Sequence, residues 1–305
     1  MTAPTPSSIA PPGPDEAERL ARRRGILLMC GALLCFACLD ATGKWLTRFV
    51  PIWEVVWARY VGATLLSLVF ANPWRTPQGF HTRRPLLQSV RAVLLFGTTV
   101  FNFLALGHLQ LDETMAIMFA MPLVVALLAG PMLGEWVGRR RLIAILIGFC
   151  GVLIVVRPGL GGMHWAALYS VAALLCYAFY ALLTRKLAAT DAPVTTAFFG
   201  SISGVALLSP ALPAFWVWPA NGAVWLGLLA LGAFGGLGHY LLIVAHGRAP
   251  APVLAPYVYT QIVWMIGLGF VVFDNRPGPY TLIGAAVVIA SGLYLFTLER
   301  TGRAP

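Results

Sequence analysis

Ten apolar segments of membrane-spanning length follow one another with short connections, and this leaves the chain few ways to fold. A helix crosses the bilayer core with about 20 apolar residues. In lipid its backbone polar groups must be satisfied within the segment. The segments run 25–46, 51–71, 86–107, 112–133, 141–157, 164–186, 194–214, 222–246, 250–273 and 279–298. The expected fold class is therefore an all-α membrane protein. Connections such as NPWRTPQG, VRPGLGG and DNRPGP carry the Pro and Gly that punctuate helices. The composition agrees, with 10% charged residues against about a quarter in a soluble domain.

The net charge of +10 raises the question of a nucleic-acid partner. The basic residues sit in short clusters between apolar runs, with no basic face interleaved with aromatics, so no such partner is expected. Cys30, Cys35, Cys38, Cys150 and Cys176 all fall inside apolar runs, an odd set unsuited to a disulfide framework. Cys35 and Cys38 spell C-x-x-C without a second pair or a His at ligand spacing, so neither a metal site nor a cofactor is expected. H-E-x-x-H, G-x-S-x-G and Walker loops are absent, and GSISG holds Ile202 at its centre, so neither an enzyme nor an ATP-driven pump is expected.

Residues 1–24 are rich in Pro, Ala and Ser and end in Arg22-Arg23-Arg24. They read as a disordered cytoplasmic tail before an uncleaved first span, because Asp40 and Lys44 follow that span in place of a cleavage site. With the N-terminus inside, fifteen of the 21 basic residues fall on inner segments, and only Lys44, Arg48, Arg157 and Arg276 fall on outer ones. Cytoplasmic loops retain Lys and Arg, so both termini are expected in the cytoplasm of a cell bounded by a bacterial inner (plasma) membrane.

A repeat underlies this pattern. PLVVALLAGPMLGEWVG and QIVWMIGLGFVVFDNRPG place Glu135 and Asp274 139 residues apart, and each is followed by a helix with an inner glycine, Gly151 and Gly292. The chain divides into five-helix copies at 25–157 and 164–300. Five is odd, so the second copy enters the membrane from the opposite side. Inverted repeats of this kind build secondary transporters, with the site near the midplane at the repeat interface.

The first copy has a basic residue late in its first helix (Lys44), then Pro51, Arg59, Pro122, the acidic Glu135 and a glycine-bearing fifth helix. In this order the residues resemble those of the drug/metabolite transporter superfamily, EamA type, over about residues 25–300. The resemblance implies ten helices around a central cavity and carriage of small metabolites without ATP. The second copy departs from the pattern: Gln261 stands in place of Pro122, Asp274 in place of the glutamate, and Phe199 to Ser201 in place of Arg59, while Arg185 matches Lys44. FACLDATGKWL is similar to members associated with uptake of larger metabolites such as S-adenosylmethionine or riboflavin.

A charge at the bilayer centre costs at least ~2.5–3.5 kcal/mol, which makes charged residues within spans candidates for function. Arg59 lies roughly 12 Å below Pro51. It either faces the cavity, where its fork suits a substrate carboxylate or phosphate, or pairs with Asp40 or Glu54. Asp40 and Lys44, four apart on one helix face, form a structural salt bridge or a gate. Asp40, Glu54 and His239 are the proton-coupling candidates, with helix packing the alternative for His239. Arg91 snorkels to the inner surface or meets substrate. Tyr177, Tyr180, Tyr257, Tyr259 and Gln261 line the cavity or pack between helices. Trp53, Trp57, Trp216 and Trp218 read as outer-interface anchors, and Gly200–Gly204 and Gly232–Gly236 as close-packing motifs.

The expected function is a secondary transmembrane transporter of a small anionic or zwitterionic organic metabolite, driven by protons or exchange. The competing reading is an integral membrane protein without a transported substrate, such as an assembly partner or an intramembrane enzyme. The expected partners are the small-molecule substrate and the lipid bilayer, with a homodimer left open.

Overall fold

The computed structural model describes residues 14–71, 81–134, 138–157, 164–187, 189–249 and 254–300. Among them the regular structure is helical, without a strand. The first half comprises α1 (Pro14–Leu46), α2 (Ile52–Ala71), α3 (Pro85–Leu106), α4 (Leu111–Met118), α5 (Met121–Leu133) and α6 (Arg139–Val156). The second comprises α7 (Ala167–Leu187), α8 (Pro193–Leu208), the one-turn α9 (Leu212–Phe215), α10 (Gly222–Arg248), a 3-10 helix (Ala255–Thr260), α11 (Gln261–Phe273) and α12 (Pro279–Arg300). Among the described residues, 7 helices are long and apolar enough to cross a membrane, and Leu142–Val156, Tyr257–Phe273 and Pro279–Tyr294 are shorter apolar helices.

One expectation about the tail is corrected. Residues 14–24 already belong to α1, because AERLARRR is composed of strong helix formers. Residues 1–13 lie outside the described residues, as does Glu135.

The fourth apolar run of each half is broken. In the first, α4 stops at Phe119–Ala120 and α5 restarts with Pro122 in its first turn, where a missing N–H costs nothing. In the second, a 3-10 turn bearing Pro256 leads into α11. The two breaks touch, with the Phe119 and Tyr259 rings 5.2 Å apart at 71°. Both runs end in a left-handed residue, Gly134 (φ 76) and Asp274 (φ 53). Gly enters that region freely and Asp is among the few side chains that tolerate it. The structural counterpart of Asp274 is therefore Gly134, one residue before Glu135.

α1 packs against α10, α3 against α7, and α2 against both α8 and α10, while α6 meets α12 and α4 meets α11. Lipid tails supply no hydrophobic drive for these contacts, so close approach matters. Glycine provides it: a Cβ on Gly232 would stand 2.7 Å from the Gly62 Cα, and one on Gly151 would stand 2.9 Å from the Gly284 carbonyl oxygen. Gly204 makes room for the Tyr60 ring. At the end of α2 nearest Ile52, the Trp57 indole donates to Ser209 Oγ (3.0 Å) and meets Trp216 at 5.8 Å, which in turn contacts Trp218 and Trp225.

Candidate functional site

Three helices bring polar side chains to one depth. Asp40 on α1, Arg59 on α2 and Thr99 on α3 each lie roughly 10 Å along their helix from the same end. Arg59 Nη1 donates to Thr99 Oγ1, and the Tyr60 hydroxyl shares that oxygen at 3.1 Å. Asp40 Oδ1 accepts from Asn102 Nδ2 at 3.0 Å. One turn before Asp40 on α1, the Phe36 ring meets that of His239 edge-on at 5.0 Å.

Among the described residues Arg59 donates to Thr99 and to no carboxylate. A guanidinium carries five N–H donors in a fixed fork, so most of them are uncommitted. None of its nitrogens is enclosed without a partner. Arg59 is half-buried, so its free donors face accessible space. The arrangement is a guanidinium and a carboxyl at one depth, each held by its own neutral hydrogen bond.

A second cluster surrounds Arg91, which is 3% exposed and does not snorkel. Its Nε donates to Thr184 Oγ1 (2.7 Å), Nη2 to the Tyr180 hydroxyl (3.0 Å), and Nη1 to the Thr196 carbonyl oxygen (2.9 Å) and Gln88 Oε1 (3.5 Å). Its guanidinium carbon stands 4.5 Å from the Tyr180 ring centre. Gln88 Nε2 reaches Asp191 Oδ2 at 3.4 Å, and Asp191 also accepts from the Thr82 hydroxyl and from the Arg83 amide (3.1 Å). Burial is possible because neutral acceptors satisfy the guanidinium. Tyr60, 4% exposed, belongs to the first cluster, bonded to Thr99 and lying under the Arg59 guanidinium.

The remaining candidates are dispersed. Lys44 does not turn to Asp40: its Nζ donates to the Leu106 carbonyl oxygen (2.7 Å) and to that of Leu109, where an ammonium complements the carbonyl end of α3. Glu54 is fully buried, and its Oε2 accepts from the Val217 amide at 3.0 Å, away from Arg59. Tyr177 and Tyr180 are neighbours, with ring centres 5.5 Å apart. Tyr257 packs with Met29, Leu33 and Ala245, whereas Tyr259 packs against Phe119 and over Gly292. Gln261 is 8% exposed at the start of α11. A cavity of about 350 Å³ lies on the other face of α1 from Asp40, lined by Cys38, Ala41, Thr42, Trp45, Phe234, Leu268 and Val272. None of the expected site residues lines it.

Thr99, Asn102, Tyr60, Gln88, Thr184, Thr196 and Asp191 are functional neighbours that the sequence reading does not single out. A signal for some of them exists. Gln88, Arg91, Thr98, Thr99 and Asn102 interrupt the apolar run of α3 at helical spacing, which makes one polar stripe.

The model of the EamA-like transporter family matches twice, over residues 23–157 and 164–298. The chain is 26% identical over 270 residues to the S-adenosylmethionine uptake transporter of Rickettsia bellii, an alignment covering 88% of this chain and 92% of that protein. It is 28% identical over 282 residues to the riboflavin transporter of Rhizobium johnstonii, covering 90% and 91%. It is also similar to the pseudopaline exporter of Pseudomonas aeruginosa, 26% identical over 279 residues, covering 90% and 96%. A solved crystal structure superposes with a TM-score of 0.64 at 20% identity, covering 91% of this chain and 98% of the other, a likeness of fold.

Proposed function

The chain belongs to the EamA-like transporter family and is a membrane transporter of small metabolites, and from that premise we propose that it is a secondary carrier of a zwitterionic organic metabolite. Arg59 takes the substrate carboxylate and Asp40 takes its ammonium. The observation that carries this reading is the state of Arg59: half-buried in a span, with the Thr99 hydroxyl as its one hydrogen-bond partner among the described residues, and at the depth of a separately held Asp40. S-adenosylmethionine, named for one group of relatives, joins an amino-acid head to a planar heterocycle. Riboflavin, named for another, has the heterocycle without that head.

The carrier consists of ten spans in two inverted five-helix repeats, with both termini cytoplasmic in the plasma membrane. The seven long helices and three shorter apolar ones support the count. Helix pairing supports the inversion. Exchanging the halves turns α1–α10 into α7–α3 and α2–α10 into α8–α3, and it returns α2–α8, α4–α11 and α6–α12 onto themselves. The meeting of the two broken runs at Phe119 and Tyr259 fits a two-fold passing between them. Broken helices at a repeat interface are common where transporters hold substrate. Coupling to protons runs through Asp40, one turn along α1 from the Phe36 that meets His239, with exchange of metabolites as the other mode. The relatives include an uptake transporter and an exporter, so direction is a property of the individual carrier.

A thermal-shift screen on the detergent-purified protein tests the head-group assignment. S-adenosylmethionine and other amino-acid-headed metabolites are expected to raise the melting temperature, and methylthioadenosine, which lacks the head, is expected to leave it unchanged. Stabilisation by head-less compounds alone, or the same stabilisation in an Arg59→Ala protein, would overturn it.

A further inference from the structure

We propose that Arg91 is a releasable latch, a positioning residue that closes one end of the carrier by fastening α3 to α7 and α8 and lets that end open when water takes the place of its partners. α3 belongs to the first family repeat and α7 and α8 to the second. The bonds to Thr184, Tyr180 and Thr196 therefore all cross between repeats. A rigid motion of one repeat against the other at this end must break them.

The chemistry suits reversible closure. Every acceptor that Arg91 uses is neutral, and its link to a carboxylate, Asp191, runs through Gln88. Hydrogen bonds to neutral groups exchange for bonds to water at modest cost, whereas parting a buried ion pair leaves a bare charge behind. Arg91 also lies only about 9 Å along α3 from Pro85. Once released, its long side chain can extend to the surface, beside the exposed Arg83, Arg84, Arg185 and Lys186 that make this the basic end. Gly200 on α8 faces this seam, where a Cβ would stand 3.2 Å from Leu95 Cδ2 and in ordinary contact with Arg91 Nη1.

The seam related to this one by exchange of the halves, α10 against α1 and α2, is closed differently. From Gly222 to Gly238 α10 carries no charged residue. It is joined by Gly232 on Gly62 and by Gly227, where a Cβ would meet Trp45 and Leu46 at 3.0 Å or just beyond. That end also carries polar bonds between the repeats, from the Trp57 indole to Ser209 Oγ and from the Val217 amide to Glu54 Oε2, so what sets the basic end apart is the buried Arg91 guanidinium.

A latch of this kind presupposes the carrier reading above, whereas thiol reactivity can be measured with no transported substrate at all. Cys176 on α7 is half-buried in the α3–α7 seam, its Sγ 3.3 Å from where a Cβ on Gly97 would stand. With Cys30, Cys35, Cys38 and Cys150 replaced by serine, Cys176 is the remaining thiol. A membrane-impermeant maleimide is added to either face of proteoliposomes of determined orientation. Arg91→Ala is expected to speed labelling from the basic face by about tenfold or more and to leave labelling from the opposite face unchanged. Thr184→Val, which removes one of the bonds between repeats together with a bond inside α7, is expected to give a smaller rise of the same sidedness, and Arg91→Lys should fall between Arg91→Ala and the parent. Unchanged rates, or an equal rise from both faces as general loosening would give, would overturn the latch. If the Arg91→Ala chain fails to insert, Thr184→Val decides by the same criteria.

Discussion

Replacing Arg59 by alanine is expected to lower metabolite uptake into proteoliposomes about 100-fold while the protein remains inserted. Truncating one partner of a desolvated, hydrogen-bonded charge pair costs about 2–5 kcal/mol. Each 1.4 kcal/mol is a factor of ten, so about 100-fold lies in the lower half of that range. The uncommitted donors of Arg59 make this the largest single loss, because among the described residues the guanidinium has one hydrogen-bond partner, Thr99, beside the Tyr60 ring it lies over. Arg59→Lys keeps the charge without the fork and should lose about tenfold. The alanine protein also leaves Asp40 without its neighbouring cation, held only by Asn102. Adding Asp40→Asn to Arg59→Ala should therefore restore part of the thermal stability and none of the uptake. Initial rates and melting curves on the same preparations separate the two effects, and parental uptake by an inserted Arg59→Ala protein would remove Arg59 from the site.

The second large effect is structural. Gly232→Val is expected to lower stability by ~3 kcal/mol or more, at the upper end of what overpacking costs. Most crowded glycines face side chains that can turn aside. Here a Cβ on Gly232 would press 2.7 Å from the Gly62 Cα, and one on Gly62 would press 3.0 Å from the Gly232 carbonyl carbon. Neither backbone can yield without parting α2 from α10. Arg59 is one turn from Gly62 on the same helix, so the site moves with the seam. Gly267→Ala is the control. Nothing lies within 4 Å of a Cβ there, and alanine in a helix interior should gain up to ~1 kcal/mol over glycine. Thermal unfolding of the purified variants measures both.

The elements were legible because lipid dictates them. An apolar run of membrane length has to be a helix, and the expected segments lie within or across the helices that form. The close-packing glycines were legible for the same reason. Gly204, however, does more than draw helices together, since it accommodates the Tyr60 ring. Arg59 and Asp40 stood out as charges in apolar surroundings, and each is held by a neutral side chain of α3, Thr99 and Asn102.

What was not legible is the choice of partner. Asn102 is 62 residues from the Asp40 it holds, and Thr196 is 105 residues from Arg91. Lys44 illustrates the difficulty. Its spacing from Asp40 is ideal for a helical pair, but the carbonyl ends of α3 win it, and backbone acceptors have no letter in a sequence. Arg91 was read as near enough to the surface to snorkel, because its neutral partners lie on two helices of the other repeat. Tyr257 and Tyr259 share a short 3-10 turn yet enter different cores. The counterpart of Asp274 shifted by one residue because left-handed backbone, not side-chain charge, is what the two positions have in common.

The central claim is that this chain carries a zwitterionic metabolite across the membrane by alternating access at Arg59 and Asp40. Tracer counterflow tests it most directly: proteoliposomes are loaded with the unlabelled metabolite that stabilises the protein and diluted into labelled metabolite without ATP. The carrier reading predicts a transient accumulation of label above its equilibrium level, absent in Arg59→Ala vesicles. A monotonic approach to equilibrium, equal in parent, Arg59→Ala and protein-free vesicles, would contradict it.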